Sequence, residues 1–120
     1  MRYMLLIHQA DAPTPRDPEA WGKLTQDEQN AVYAAYGELN QTPGVTPGEQ
    51  MQPPEAATTV RVEDGRTLVT DGPFAETKEA LGGYLFLDAD DLDAAIELAA
   101  RVPAAWMGGA VEVRPLVERS

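Results

Sequence analysis

Two short runs, Tyr3-Met4-Leu5-Leu6-Ile7-His8 and, much later in the chain, Tyr84-Leu85-Phe86-Leu87, restrict this protein more than any other feature. Each is too short for a stable helix, and each is apolar at consecutive positions rather than at alternate ones. That pattern belongs to strands whose two faces are both covered. The first run predicts a strand over 2–8 and the second a strand over 84–87, so the chain must supply cover for both sides of one sheet.

The stretches between them supply part of it. Asp11 to Pro18 is proline-rich and reads as a loop. Thr25-Gln26-Asp27-Glu28 has the capping-box form, in which the Thr25 hydroxyl accepts from the Glu28 N–H while the Glu28 side chain reaches back. A helix is expected from there to about Asn40, with Val32, Ala35, Tyr36 and Leu39 on its buried stripe and Pro43-Gly44 ending it. Residues 43–54, rich in proline and glycine around Val45, fit an edge strand or an ordered loop. Thr58 to Val62 and Arg66 to Thr70 flank Glu63-Asp64-Gly65, a strong hairpin signal, and Asp71-Gly72-Pro73 closes the second strand. A short turn or helix over 76–80 leads through Gly82-Gly83 into the second apolar run. Asp90 or Asp91 caps a second helix with Leu92, Ala95, Ile96 and Ala99 on one stripe and Pro103 at its end, and 110–115 alternates as a last strand. The order is β, α, (β), hairpin, β, α, β, an α+β chain.

Two helices cover one face of an antiparallel sheet. The other face would leave a contiguous apolar patch in water, and such patches mark interaction surfaces. A homodimer formed face to face through the sheet is therefore expected, with two-fold symmetry. The alternative is a monomer in which 43–57 folds over that face.

Composition limits the functions available. The chain has 120 residues, no cysteine, and 9 Lys+Arg against 20 Asp+Glu, for a net charge of −11. One domain is expected at this length, thiol chemistry and thiolate metal sites are excluded, and nucleic acid and anionic membrane surfaces are unfavourable partners. The apolar run at the start stops at His8-Gln9, too short for a signal or spanning segment, so a cytoplasmic location is expected. No cofactor is expected either: the glycine pairs at 82–83 and 108–109 do not form a nucleotide-binding loop. Asp88 to Asp93 lacks the residues a calcium loop needs at its fifth and sixth positions, and reads instead as a helix start. The single serine, Ser120, allows no argument for a catalytic triad.

Leu68-Val69-Thr70-Asp71-Gly72-Pro73-Phe74-Ala75-Glu76-Thr77-Lys78-Glu79 resembles the hallmark of the DGPF branch of the YCII-related proteins. The opening Arg2 to Ile7, the Gln52-Pro53-Pro54 and Thr58-Thr59-Val60-Arg61 segments, and the closing Val111-Glu112-Val113-Arg114-Pro115 are similar as well. The resemblance spans nearly the whole chain. It implies a ferredoxin-like antiparallel sheet with two main helices on one face, of the dimeric α/β-barrel type, with a pocket near the sheet and loops. Relatives in the wider superfamily include monooxygenases, isomerases and a chloromuconolactone-type dehydrochlorinase, and a histidine and an aspartate have been proposed as a catalytic pair in the YCII branch. Many DGPF members lie in genomes beside sigma factors of the extracytoplasmic-function type, which points to regulation. A shared fold does not by itself transfer a chemistry.

His8 is the only histidine, so any imidazole acid–base step must use it. A base titrating near neutrality suits proton abstraction beside a carbonyl or elimination from a lactone. The plain alternative is an imidazole satisfied by a backbone carbonyl at the strand end. Asp71 either caps the following turn or orients His8 and polarises a water at a pocket mouth. Gly72, Pro73, Phe74 and Lys78 are the remaining pocket candidates: Lys78 would meet a carboxylate on a ligand or be solvated beside Glu76 or Glu79, and Phe74 would anchor the loop in the core. Trp21, Tyr84, Trp106 and Met107 could line an apolar pocket, or fill a core or interface. Two functions follow: cofactor-free isomerisation or elimination on a small carbonyl or lactone compound, or a ligand-binding or regulatory module without catalysis.

Overall fold

The computed structural model describes residues 1–9, 12–15, 17–52, 54–72 and 81–118. In chain order its elements are β1 (Arg2–His8), α1 (Pro18–Gly22), α2 (Gln26–Gln41), β2 (Val45–Gln50), a 3₁₀ turn (Pro54–Ala56), β3 (Thr58–Glu63), β4 (Arg66–Asp71), β5 (Leu81–Asp88), α3 (Leu92–Ala99), α4 (Pro103–Trp106) and β6 (Ala110–Pro115). The two runs apolar on both faces become the two central strands of a four-stranded antiparallel sheet ordered β2-β5-β1-β6. Strands β1 and β5 lie in register, with Met4 opposite Phe86 and Leu5 opposite Leu85. The path from β1 through α2 to β2 steps over β5, and the path from β5 through α3 to β6 steps over β1. This double split β-α-β unit is the ferredoxin-like α+β architecture.

Alternation along β1 sorts its side chains. Tyr3, Leu5 and Ile7 point to the helix side and join Leu85, Leu87, Leu39, Ala95, Leu98, Ala99 and Val102 in one core. Met4, Leu6, Tyr84 and Phe86 point the other way and stay half-buried, with Tyr84 and Phe86 stacked edge to face and the Arg2 guanidinium 5.5 Å from the Phe86 ring centre. The sheet therefore has one helix-covered face and one open apolar face.

Local chemistry explains the element ends. The capping box forms as expected: the Glu28 N–H donates to Thr25 Oγ1 at 3.1 Å and the Thr25 N–H to Glu28 Oε1 at 2.9 Å. The Thr25 N–H, and after it the Thr25 hydroxyl, hold the Glu28 carboxyl below its ordinary value. Asp91 caps α3 by accepting from the Ala94 N–H at 2.9 Å. In the β3–β4 hairpin Asp64 and Gly65 both take positive φ, 51° and 75°, as a type I′ turn requires. Among the described residues its two strands pair only with each other and form a separate sheet.

Three expectations are corrected. Gly82 and Gly83 lie inside β5, which begins at Leu81, rather than leading into it; a Cβ on Gly82 would stand 2.5 Å from the Gln9 side chain. The buried stripe of α3 is Ala95, Leu98 and Ala99, while Leu92 and Ile96 are about half exposed at 49% and 50%. The face that joins the sheet's core carries Leu98 between the two alanines, so Leu98 fills the place expected of Leu92 and Ile96, which lie on the outer face. Pro18 opens the short helix α1, capped by Asp17, where a loop was expected to end. The turn expected over 76–80 lies outside the described residues.

Candidate functional site

His8 is the last residue of β1 and shares the open face with Met4 and Leu6. Its side chain is 23% exposed and its Nε2 lies 3.6 Å from Glu112 Oε1. Glu112 stands opposite Leu6 on β6, and its other carboxylate oxygen accepts from the Arg114 guanidinium. The arrangement is a histidine, a carboxylate and an arginine in a row along the border of an apolar sheet face. When protonated, the imidazole forms an ion pair with Glu112; when neutral, it has a carboxylate at hand to orient it.

Asp71 stands in the other sheet, exposed at the end of β4 and opposite Thr58. Gly72 follows at φ 99°, where a side chain would be strained. Its N–H donates to the Ala57 carbonyl at 2.7 Å, and its carbonyl accepts from Thr59 Oγ1 at 2.8 Å. These bonds tie off the base of the hairpin. Pro73, Phe74 and Lys78, with Glu76 and Glu79, lie outside the described residues. Among the described residues, the carboxylate in ion-pair range of His8 is Glu112.

The helix side of the sheet holds a cleft of about 310 Å³, between α2 and the β2–β5 edge. Tyr36 on α2, Gln9 just beyond β1, and Tyr84 and Gly83 on β5 line it, with Gly48 and Glu49 forming its rim. Two local features open this space. The β2–β5 pairing slips between Pro47 and Gln50, so Gly48 and Glu49 bulge, a distortion that often re-aims side chains beside sites. Gly48 also approaches Tyr84 so closely that a Cβ would fall 2.1 Å from the Tyr84 carbonyl oxygen, which excludes any larger residue without moving the strand.

Tyr36 is the titratable group the cleft perturbs. Burial pushes its phenol above the usual tyrosine value, while a hydrogen bond from the Gln9 side chain works in the opposite direction. A bond that favours phenolate is one in which the Gln9 amide donates to the phenolic oxygen. Met107 lines this space, as one reading of the sequence allowed, and Tyr84 borders it at the β2–β5 edge while its ring stacks on Phe86 of the open face; Trp21 instead packs edge-on to Tyr33, and Trp106 is 52% exposed.

Sequence reasoning placed Tyr36 on a buried stripe and missed its polar role, and it passed over Gln9 and Glu112. The signals were present. A tyrosine on an otherwise apolar stripe needs a partner for its hydroxyl. Glu112 lies between Val111 and Val113, so alternation puts it on the face that also carries His8.

A solved structure of 5-chloro-2-hydroxyhydroquinone dehydrochlorinase from Burkholderia phenoliruptrix AC1100, in complex with 2,5-dihydroxybenzoquinone, aligns with a TM-score of 0.49 and 15% identity, over 99% of this chain and 96% of that one. An uncharacterized protein of Rhizobium meliloti (strain 1021) is 37% identical, over 97% of this chain and 92% of that protein. The model of the YCII-related domain matches residues 1–120. The chain belongs to the YCII-related family.

Proposed function

We propose that this YCII-related protein is a homodimer that binds a small carbonyl or lactone compound in the cleft beneath α2. The observation that carries the reading is the half-buried Tyr36 phenol, which meets the Gln9 side chain in a cleft of about 310 Å³. That volume is at the small end of the range of about 300–1,000 Å³ for ligand pockets. The aromatic and proline lining offers apolar contact, and Tyr36 offers a single directional donor to a carbonyl oxygen. Homodimerisation is supported by the open apolar face, which a second copy would cover.

A catalytic version has its own support. Glu112 sits within ion-pair range of His8, at 3.6 Å, which gives the imidazole the orienting carboxylate that base catalysis uses. In this version the substrate sits at the border of the open face rather than in the cleft, and His8 removes a proton beside its carbonyl in a cofactor-free isomerisation or elimination while Asp71, from the hairpin base, polarises the substrate or a water. Without catalysis the cleft serves a sensor or regulatory module, the function suggested by the sigma-factor neighbourhood of DGPF relatives.

Coumarin, a neutral lactone, is a suitable probe. Titration of the full chain should show saturable binding that weakens about fivefold to tenfold in Tyr36→Phe, the loss of one hydrogen bond of about 1 kcal/mol. Binding unaffected by Tyr36→Phe would remove the cleft reading. A pH-dependent lactone turnover lost in both His8→Ala and Asp71→Asn would establish the catalytic version. Coumarin binding that survives both changes, with no turnover, would establish the sensor.

A further inference from the structure

The β3–β4 hairpin carries an exposed apolar side that neither the cleft nor the open face accounts for. Its register places Val60 opposite Val69 and Val62 opposite Thr67, so three valines form one apolar side. They are 58% (Val60), 67% (Val62) and 63% (Val69) exposed. Arg61, Glu63 and Arg66 lie on the other side with Leu68. A two-stranded hairpin is only marginally stable in water unless a surface backs it. The shape of the molecule agrees with an outstretched arm: its radius of gyration is 16.4 Å, with extents of 53 × 46 × 18 Å. A compact chain of this length would be near about 14 Å.

We infer that the valine side of this hairpin is an arm that packs against a second copy of the chain. The inference rests on the homodimer proposed above, and interface area singles out the occupant. Four strands at about 4.8 Å spacing and about 20 Å length give the open sheet face roughly 400 Å² in projection. A specific, stable interface takes about 800 Å² from each partner. Two copies that each carry −11 also repel, so an undersized apolar contact is further disadvantaged. One side of the arm adds about 200 Å² by the same geometry. In a two-fold pair each copy contributes both its own arm and the patch that its partner's arm covers, which raises each side to about the required area. The charge on the valine side is confined to Asp71 at the arm's base, so docking the three valines desolvates no ion pair.

The test uses the full chain. Light scattering during a dilution series from about 100 µM to about 1 µM gives the dimer dissociation constant. The double variant Val60→Glu/Val69→Glu should raise that constant at least tenfold, whereas Thr70→Glu, on the other side of the arm, should leave it within about twofold. In the wild-type protein, hydrogen exchange at the arm amides should slow as concentration passes through the dimerisation range, a readout that needs no variant. A double variant with the wild-type constant, or arm amides that exchange at one rate at both concentrations, overturns the arm. If Leu6→Glu on the sheet face separates the copies while the arm shows no effect, the dimer stands and the arm fails. A wild-type chain at the 13.0 kDa mass of one copy throughout overturns both.

Discussion

Tyr36 and His8 lie on opposite sides of one sheet and illustrate two ways of giving a polar group a task. Tyr36 is half-buried at the cleft wall, and its phenol resists ionisation because burial penalises the phenolate. His8 is on a border, with Glu112 in reach. The first arrangement has a consequence for stability that can be measured. A phenol whose folded value lies above the unfolded one holds its proton longer in the native state, so the unfolded state binds fewer protons above about pH 10 and stability falls as pH rises. Below that pH the contribution is intact. Chemical denaturation from about pH 8 to about pH 11 should therefore show an alkaline loss of stability that is smaller in Tyr36→Phe. An identical alkaline loss in the variant would mean that burial does not perturb Tyr36 as described. The cleft residues were only partly legible in the sequence. Periodicity assigned Tyr36 to a buried stripe, but the Gln9 partner comes from a turn whose path depends on tertiary packing.

At the scale of elements, the signals that survived into the structure are those with a local mechanism. The Thr25–Glu28 box, the Asp91 cap and the Asp64-Gly65 turn depend on bonds or dihedrals within a few residues, and each is present. Thr25→Ala should cost about 1 kcal/mol in equilibrium unfolding, since it removes an N-cap acceptor. A loss within error of zero would show that solvent replaces the cap. The capping box also titrates. Glu28 has a depressed folded value, so its contribution is present above the ordinary carboxylate range and is lost as pH falls through the folded value. The element features that were missed depend on neighbours. Which stripe of α3 turns inward was decided by the sheet, whose core Ala95, Leu98 and Ala99 join while Leu92 and Ile96 lie on the outer face. The glycines of β5 were read as punctuation because nothing in the sequence shows Gln9 or Glu49 pressing against them.

For the whole molecule, two runs apolar on both faces and the alternation around them were enough to call for a covered antiparallel sheet, and the family motifs agree with its ferredoxin-like order. One face is covered by helices from the same chain; the other holds Met4, Leu6, Tyr84 and Phe86 half-exposed beside the His8–Glu112–Arg114 row. In the proposed function the two faces do different work: assembly on the open side, extended by the hairpin arm, and ligand binding on the helix side. Mapping coumarin on the isotope-labelled full chain by amide NMR tests that division. Saturable shifts are expected at Gln9, Tyr36, Gly48 and Gly83, with the open-face residues Met4 and Leu6 unmoved. Shifts centred on Met4, Leu6 and His8, with the cleft silent, would contradict the division.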